Sequence, residues 1–355
     1  MSTGTFSTVG NSVLLVGVGG VGCELAARCS GSFKRRLLSF DADTLAAYAG
    51  PEAMCLSGEP ENTGDMEADG MRLSAEEAAQ DILESAQAAN SLVLILCAVG
   101  GQTGSVVVPT LANEFKGAQC TVVVAALEPM PFEGAGRADM AARALADLEN
   151  AADLVLVIPN RPLAELCDPA LPVAEAIARL KDRTVGAVEQ LIRALACASC
   201  VGLQPLDLRR SLAGAGRGAL AVGVGTGEGR VEKAIRDACA NSFLTQESCQ
   251  HAAAALLHLL GSRDLSLREV HAATDLVGQL VGRVPIQVGL TLDPTAGDTL
   301  RATLLVTGVH QLQADDRPGD APAPLVHSQD LSYYDGVNLD VPAFLRRRAV
   351  PQLRY

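Results

Sequence analysis

Residues Val99–Pro109 read VGGQTGSVVVP, directly after the apolar run SLVLILCA (Ser91–Ala98). The run predicts a buried strand, and the stretch beyond the glycines has a helical pattern. Gly100, Gly101 and Gly104 remove side chains that would hold backbone N–H groups away from an anion. Thr103 and Ser105 add two hydroxyl donors, so the turn predicts a phosphate cradle between a strand and a helix. A second such turn lies upstream in NSVLLVGVGGVGCELAAR (Asn11–Arg28). There Val13–Val16 form a strand-like run, Gly17, Gly19, Gly20 and Gly22 form the turn, and a helix is expected from Glu24. Gly17, Gly19 and Gly22 satisfy G-x-G-x-x-G, and Asp41 comes after the next apolar stretch, LLSF. Taken alone, that stretch leaves open a dinucleotide site or a bare tight turn. Two glycine turns on one edge of a sheet are more specific, because together they can face one di- or triphosphate.

Composition narrows the class. The chain has 355 residues, enough for two ordinary domains, and 48% of them are apolar with no tryptophan. A formal net charge of −13 argues against a nucleic-acid surface. No N-terminal apolar segment resembles a signal peptide and no uncharged run is long enough to span a bilayer, so a cytoplasmic chain is expected. Of the ten cysteines, Cys197 and Cys200 alone make a C-x-x-C. With no second pair or nearby histidines they read as reduced core thiols, not as metal ligands.

Strand-like and helical stretches alternate from residue 11 to about 165. CTVVVAAL (Cys120–Leu127) and DLVLVIP (Asp153–Pro159) are further strands; SAEEAAQDILESAQ and ADMAARALADLENA are helices. Such alternation predicts a parallel sheet covered on both faces. A long helical stretch comes next, PVAEAIARLKDRTVGAVEQLIRALACA, and then a second α/β unit to about His310. The expected layout is an N-terminal extension (1–10), a Rossmann-like nucleotide-binding domain (11–176), a central helix (177–200) and a second α/β domain (201–310). A Pro/Asp/Ala-rich linker (311–336) and a terminal peptide (337–355) complete it.

These segments jointly resemble the tubulin/FtsZ superfamily, and its FtsZ side in particular. The signature GGGTG(T/S)G appears as Gly100-Gly101-Gln102-Thr103-Gly104-Ser105-Val106, with Gln102 and Val106 replacing glycines. EPMPFEGAGR (Glu128–Arg137) looks like the PF-x-FEG segment, and VIPN ends on Asn160. LAVGVGTGEGRVEKAIRDACANSFL and LRATLLVTGV resemble the family's C-terminal domain. The first glycine stretch also looks like the enzymes that adenylate ubiquitin-like proteins, but neither that reading nor a dinucleotide site explains the later segments. The resemblance implies a divergent FtsZ-like protein of tubulin/FtsZ fold, binding GTP or GDP with Mg2+ and assembling head to tail. The nucleotide would lie against Gly19, Gly20, Val21, Gly22 and Cys23 of the first loop and Gly100 to Ser105 of the second. Glu133, Arg137 and Asn160 would face its ribose and phosphates. An ungapped match of the long helix puts Lys181 at the family's base-recognising asparagine, with Asp182 beside it and Ile177 where an aromatic ring stacks. Glu24 also replaces an asparagine, and a carboxylate there is unfavourable unless it turns away or meets a cation.

In FtsZ-like proteins the loop N-x-D-x-x-D, after the central helix, completes a neighbour's site and supplies carboxylates for a cation and the attacking water. Here it reads Gly202-Leu203-Gln204-Pro205-Leu206-Asp207, so Asp207 is the one carboxylate left, and beyond it no direct metal ligand is expected. Gln204 can orient water but cannot act as a base. Loss of one electrostatic contact of that kind slows turnover by about 10²–10³-fold. The expectation is a slow GTPase or a nucleotide-binding paralogue that scarcely hydrolyses. Asp340, Val341, Pro342, Ala343, Phe344, Leu345 and Arg346 resemble the family's terminal docking peptide. The resemblance implies an adaptor similar to FtsA that links it to the membrane, and a standard FtsZ as a co-assembly partner.

Overall fold

The computed structural model describes residues 13–309 except 32, 49, 51, 58–64, 87–90, 160–171, 197–211, 213, 241–242 and 245–248. It also describes the backbone of 333–334 and 337–338. The fold grows from β1 (Val13–Val18), buried along its whole length. Alternate side chains leave opposite faces of a strand, and β1 divides accordingly. Leu14, Val16 and Val18 enter one core layer with Ile82, Leu111 and Leu148. Val13 and Leu15 enter the other with Leu25, Val188 and Leu191.

Around β1 the chain runs α1 (Gly19–Arg28), β2 (Lys34–Ser39), α2 (Ala42–Ala46), β3 (Ala53–Cys55), α3 (Asp65–Ala86) and β4 (Leu92–Ala98). A π-helical turn (Thr103–Val107) leads into α4 (Val108–Gly117) and β5 (Thr121–Leu127). A 3-10 turn (Pro131–Glu133) precedes α5 (Ala135–Ala151) and β6 (Leu154–Ile158). The long helix α6 (Val173–Ala196) then leads to the second half: β7 (Gly216–Thr226), α7 (Arg230–Ala240), β8 (Ala254–Gly261), α8 (Leu267–Val281), β9 (Ile286–Leu292) and β10 (Thr299–Thr307). Tyr333–Tyr334 (β11) pairs with Val337–Asn338 (β12).

One ten-stranded sheet holds both halves, in the order β3-β2-β1-β4-β5-β6-β7-β10-β8-β9. The first seven strands in that order are parallel, with β6 joined to β7 through the pairs Leu154–Gly216, Val155–Arg217 and Leu156–Gly218. The direction then alternates at β10 and β8, and β9 lies parallel to β8. Helices α7 and α8 cover one face of the second half, with Ala234, Ile235 and Val277 packed on Leu257, Leu259 and Leu304. Helix α6 shares a core layer with β1, β4, Leu220 of β7 and Leu305 of β10, and so reaches across both halves.

One element boundary differs from the sequence expectation in a way that matters for the site. Helix α1 begins at Gly19, not Glu24, so the glycine turn is itself the helix's first turn. Helix α6 begins at Val173, one residue into the helical stretch that opens at Pro172.

Candidate functional site

The order β3-β2-β1-β4-β5-β6 reverses its winding between β1 and β4. In open parallel sheets ligands bind at the carboxyl ends of the strands where such a reversal leaves a crevice. Both glycine loops leave the sheet there, one after β1 and one after β4.

The first loop owes its shape to two demands. The N-cap of α1 is Val18, whose side chain makes no capping bond, so the helix's opening amides have no side-chain acceptor. Gly19 and Gly20 stand at that opening, and a Cβ at Gly20 would meet nothing within 4 Å. Gly22 serves packing instead: a Cβ there would lie 2.2 Å from the Leu96 carbonyl oxygen of β4. Val21 is half-buried and Cys23 fully so. The Cys23 sulfur lies 3.4 Å from both the Gly17 and the Leu38 carbonyl oxygens, either of which can accept its one proton, and burial pushes its pKa up to about 11. Cys23 therefore faces the core and offers a ligand only its backbone.

The second loop mirrors the first. A Cβ at Gly104 would lie 1.9 Å from the Ala98 carbonyl oxygen, again at the end of β4, whereas one at Gly101 would meet nothing within 4 Å. The Gly100 amide donates to Ser105 Oγ at 3.2 Å, and the Ser105 amide donates to the Gly101 carbonyl at 3.1 Å. Ser105 thus closes the loop, and its hydroxyl proton remains to be given. Gln102 and Thr103 are half-buried. The two loops adjoin: a methyl at Gly19 would stand 3.6 Å from Thr103 Cγ2.

Helix α5 supplies a third wall, since a Cβ at Gly100 would lie 2.8 Å from the Arg137 carbonyl oxygen. Glu133 accepts from the Met130 amide at 2.7 Å with one oxygen and from the Arg137 guanidinium with the other. Glu133 and Arg137 are thus paired with each other.

The fourth wall is α6. Lys181 Nζ lies 2.6 Å from Glu24 Oε2, and the Arg28 guanidinium donates to Asp182. Arg28 also lies 3.9 Å from Glu24 Oε1. The Glu24 carboxylate has thus met a cation. Asp41 caps α2, accepting from the Asp43 amide at 3.0 Å and from the Thr44 hydroxyl, and those bonds hold its carboxyl below the usual range. A carboxylate so engaged serves as the N-cap of α2. Tyr48, which the sequence did not single out, is half-buried; burial and the charge of Glu24 raise its phenol pKa. Asn160, Gln204 and Asp207 lie outside the described residues, as do Cys197, Cys200 and Asp340, Pro342, Phe344, Leu345 and Arg346. Among the described residues no group of three or more His, Cys, Asp or Glu side chains could hold a metal ion, and no helix is long and apolar enough to cross a membrane. A separate groove of about 460 Å³ between α6 and β7, lined by Arg183, Arg193, Phe243 and Arg301 among others, shares no residue with the loops.

The fold and site define an α/β protein with two adjoining glycine loops at the switch point of a parallel sheet. Its sequence matches the Tubulin/FtsZ family GTPase domain over residues 12–168 and the FtsZ family C-terminal domain over residues 216–310. The chain belongs to the tubulin/FtsZ family. It is 28% identical over 263 residues to "Cell division protein FtsZ 1" of Rhizobium meliloti, covering 72% of this chain and 44% of that one. It is 30% identical over 237 residues to "Cell division protein FtsZ" of Methanothermobacter thermautotrophicus, covering 66% of this chain and 61% of that one. The matched stretch is thus less than two thirds of either relative. Among solved structures, an empty FtsZ dimer of M. jannaschii superposes with a TM-score of 0.71 at 25% identity, covering 84% of this chain and 88% of that one. A GTPgS-bound CetZ2 protofilament of Haloferax volcanii shares the fold, with a TM-score of 0.71 at 19% identity over 86% and 95% of the two chains.

Proposed function

We propose that this chain is an FtsZ-like cytoskeletal protein that binds guanine nucleotide between its two glycine loops and assembles head to tail in cell division or membrane remodelling. The apposition of Gly19 and Thr103 at the switch point carries the reading. A nucleotide fits the residues present. The opening amides of α1 and the open face at Gly101 suit phosphate oxygens, as helix N-termini and glycine turns do. Thr103 and Ser105 retain hydroxyl donors, and Glu133 and Arg137 stand beside the second loop. Mg2+ would be carried chiefly by the phosphates, as is usual for a cation that keeps most of its waters. When bound it would neutralise the charge that develops on phosphoryl transfer.

Hydrolysis would be completed between subunits, Asp207 of one copy polarising water at the nucleotide of the next. Gly202 and Gln204 weaken that arrangement, so turnover is slow and a chiefly structural or regulatory role is the second reading. The peptide Asp340–Arg346, with Pro342, Phe344 and Leu345 as anchors, would dock on a membrane-linked adaptor. A standard FtsZ is a candidate for co-assembly.

Gly101→Ala tests the cradle. Its Cβ has open space around it, so the variant should keep the parent's melting temperature. It should bind GDP at least about tenfold more weakly, since each 1.4 kcal/mol is a factor of ten. Unchanged affinity in a folded variant would place the nucleotide elsewhere.

A further inference from the structure

The ten-stranded sheet ends on β9, and no strand among the described residues pairs with its outer side. The bonds to β8 fix which groups that side exposes. At one end the Ala255 amide donates to the Pro285 carbonyl at 3.0 Å; at the other the Asp293 amide donates to the Gly261 carbonyl at 2.8 Å. Alternate residues of a strand turn their N–H and C=O to opposite sides. With Pro285 and Asp293 facing β8 and the register unbroken between them, the odd-numbered residues make that ladder. Ile286, Val288, Leu290 and Leu292 therefore point their N–H and C=O outward.

Sheets blunt such an edge with charges, proline, bulges or brevity. Strand β9 uses none of these: IQVGLTL is seven residues long, carries no charge and no proline, and pairs without a bulge. The opposite edge, β3, has three residues. In a chain of net charge −13, a neutral strand is where two copies can approach with least repulsion. Two charges bracket it. Arg283, before the strand, is exposed and makes no ion pair among the described residues. Asp293, after it, accepts from the Thr295 amide at 2.8 Å and hydroxyl at 2.6 Å, both on Oδ1, which leaves Oδ2 to accept. Arg193 also acts on that carboxylate but makes no ion pair with it. An antiparallel pairing about Val288 sets Ile286 of each copy opposite Leu290 of the other, each pair exchanging both N–H···O bonds. The same register brings Arg283 of each copy to the end where Asp293 of the other stands, and opposite charges across strands favour pairing.

We propose that β9 is a lateral contact between two copies of this chain, paired antiparallel across a two-fold axis at Val288, so that two sheets join edge to edge. A contact of the same patch on both copies closes on itself, so it gives a dimer and not an open-ended stack. It is separate from head-to-tail assembly and needs no nucleotide. Sedimentation of the full chain without added nucleotide tests it, and a concentration-dependent dimer should form below about 100 μM. Val288→Pro removes a donor that β8 does not use, and proline is tolerated on an edge strand where its missing N–H faces solvent. This variant should keep the parent's melting curve and weaken the dimer at least about tenfold. Arg283→Glu, at an exposed side chain, should weaken it too, most at low salt where repulsion from Asp293 is least screened. If Val288→Pro does not fold, Arg283→Glu decides. A parent that stays monomeric at about 100 μM, or a dimer that either folded variant leaves intact, overturns the proposal. A dimer that forms only once residues 310–355 are removed overturns it as well, and makes that segment the cover of the edge.

Discussion

At the level of single residues, the two loops separate glycines that serve the fold from those that serve a ligand. Gly104 has no room for a methyl group beside the Ala98 carbonyl. Gly104→Ala should therefore cost at least about 2 kcal/mol by displacing β4 or the π-turn, seen as a lower urea midpoint. That is the opposite of the silent stability expected for Gly101→Ala. His258 is a second residue with a measurable signature. It is buried on β8 with its ring nitrogen 2.9 Å from Thr291 Oγ1, and burial lowers its pKa from 6.5 to about 4. The unfolded chain then takes up this proton first, so the stability His258 contributes is whole above about pH 6.5 and is lost as the pH falls toward 4. The full difference is about 3 kcal/mol. Between pH 7 and 4.5, His258→Gln should lose about 2 kcal/mol less than the parent in urea denaturation, and equal losses would assign the acid sensitivity to other groups.

At the level of elements, α7 and α8 are tied by Arg230, whose side chain is 7% exposed and bonds Glu269 at 2.7 Å and Asp264 at 3.1 Å. These carboxylates, Glu269 first, hold its pKa above the usual guanidinium value. Ser266 and Glu269 cap α8 reciprocally. Arg230→Ala removes a buried cation from two partly exposed acids and should cost about 3 kcal/mol, whereas Ser266→Ala should cost about 1 kcal/mol. Calorimetry that ranked them the other way would remove Arg230 as the tie. Periodicity made several elements legible in advance: β4, β5 and β6 lie within a residue or two of the stretches that announced them. Other boundaries were not legible, for physical reasons. Glycine's low helix propensity hid the start of α1, where backbone conformation and packing on β4 override it. Helix α3 begins at Asp65, nine residues before the amphipathic stretch that revealed it, because its first turns lack an apolar stripe. Strand β8, AALLHLLG, has no alternation to show since nearly all of it is buried. The glycine loops, Glu133 and Arg137 were legible because their chemistry is local. The pairing of Glu24 with Lys181 was not, since it joins residues 157 positions apart.

For the whole molecule, the proposed site is incomplete in one copy, so GTP turnover per molecule should rise with protein concentration until assembly saturates. Asp207→Ala should abolish it and Gln204→Asp should raise it. Turnover independent of concentration would assign hydrolysis to the isolated chain. Removal of residues 337–355 should leave nucleotide affinity unchanged while abolishing recruitment to the membrane, as tracked by microscopy of a fluorescent fusion. The sheet itself carries a consequence of a mechanical kind. Parallel pairing of Leu154–Leu156 with Gly216–Gly218 lays the boundary between the halves along the strands. Tension drawn lengthwise through β6 and β7 would reach those bonds as shear, so that they yield together and not one after another. Pulled across the strands, the same seam would open like a zip, and the force the molecule withstands would depend on the direction of the pull.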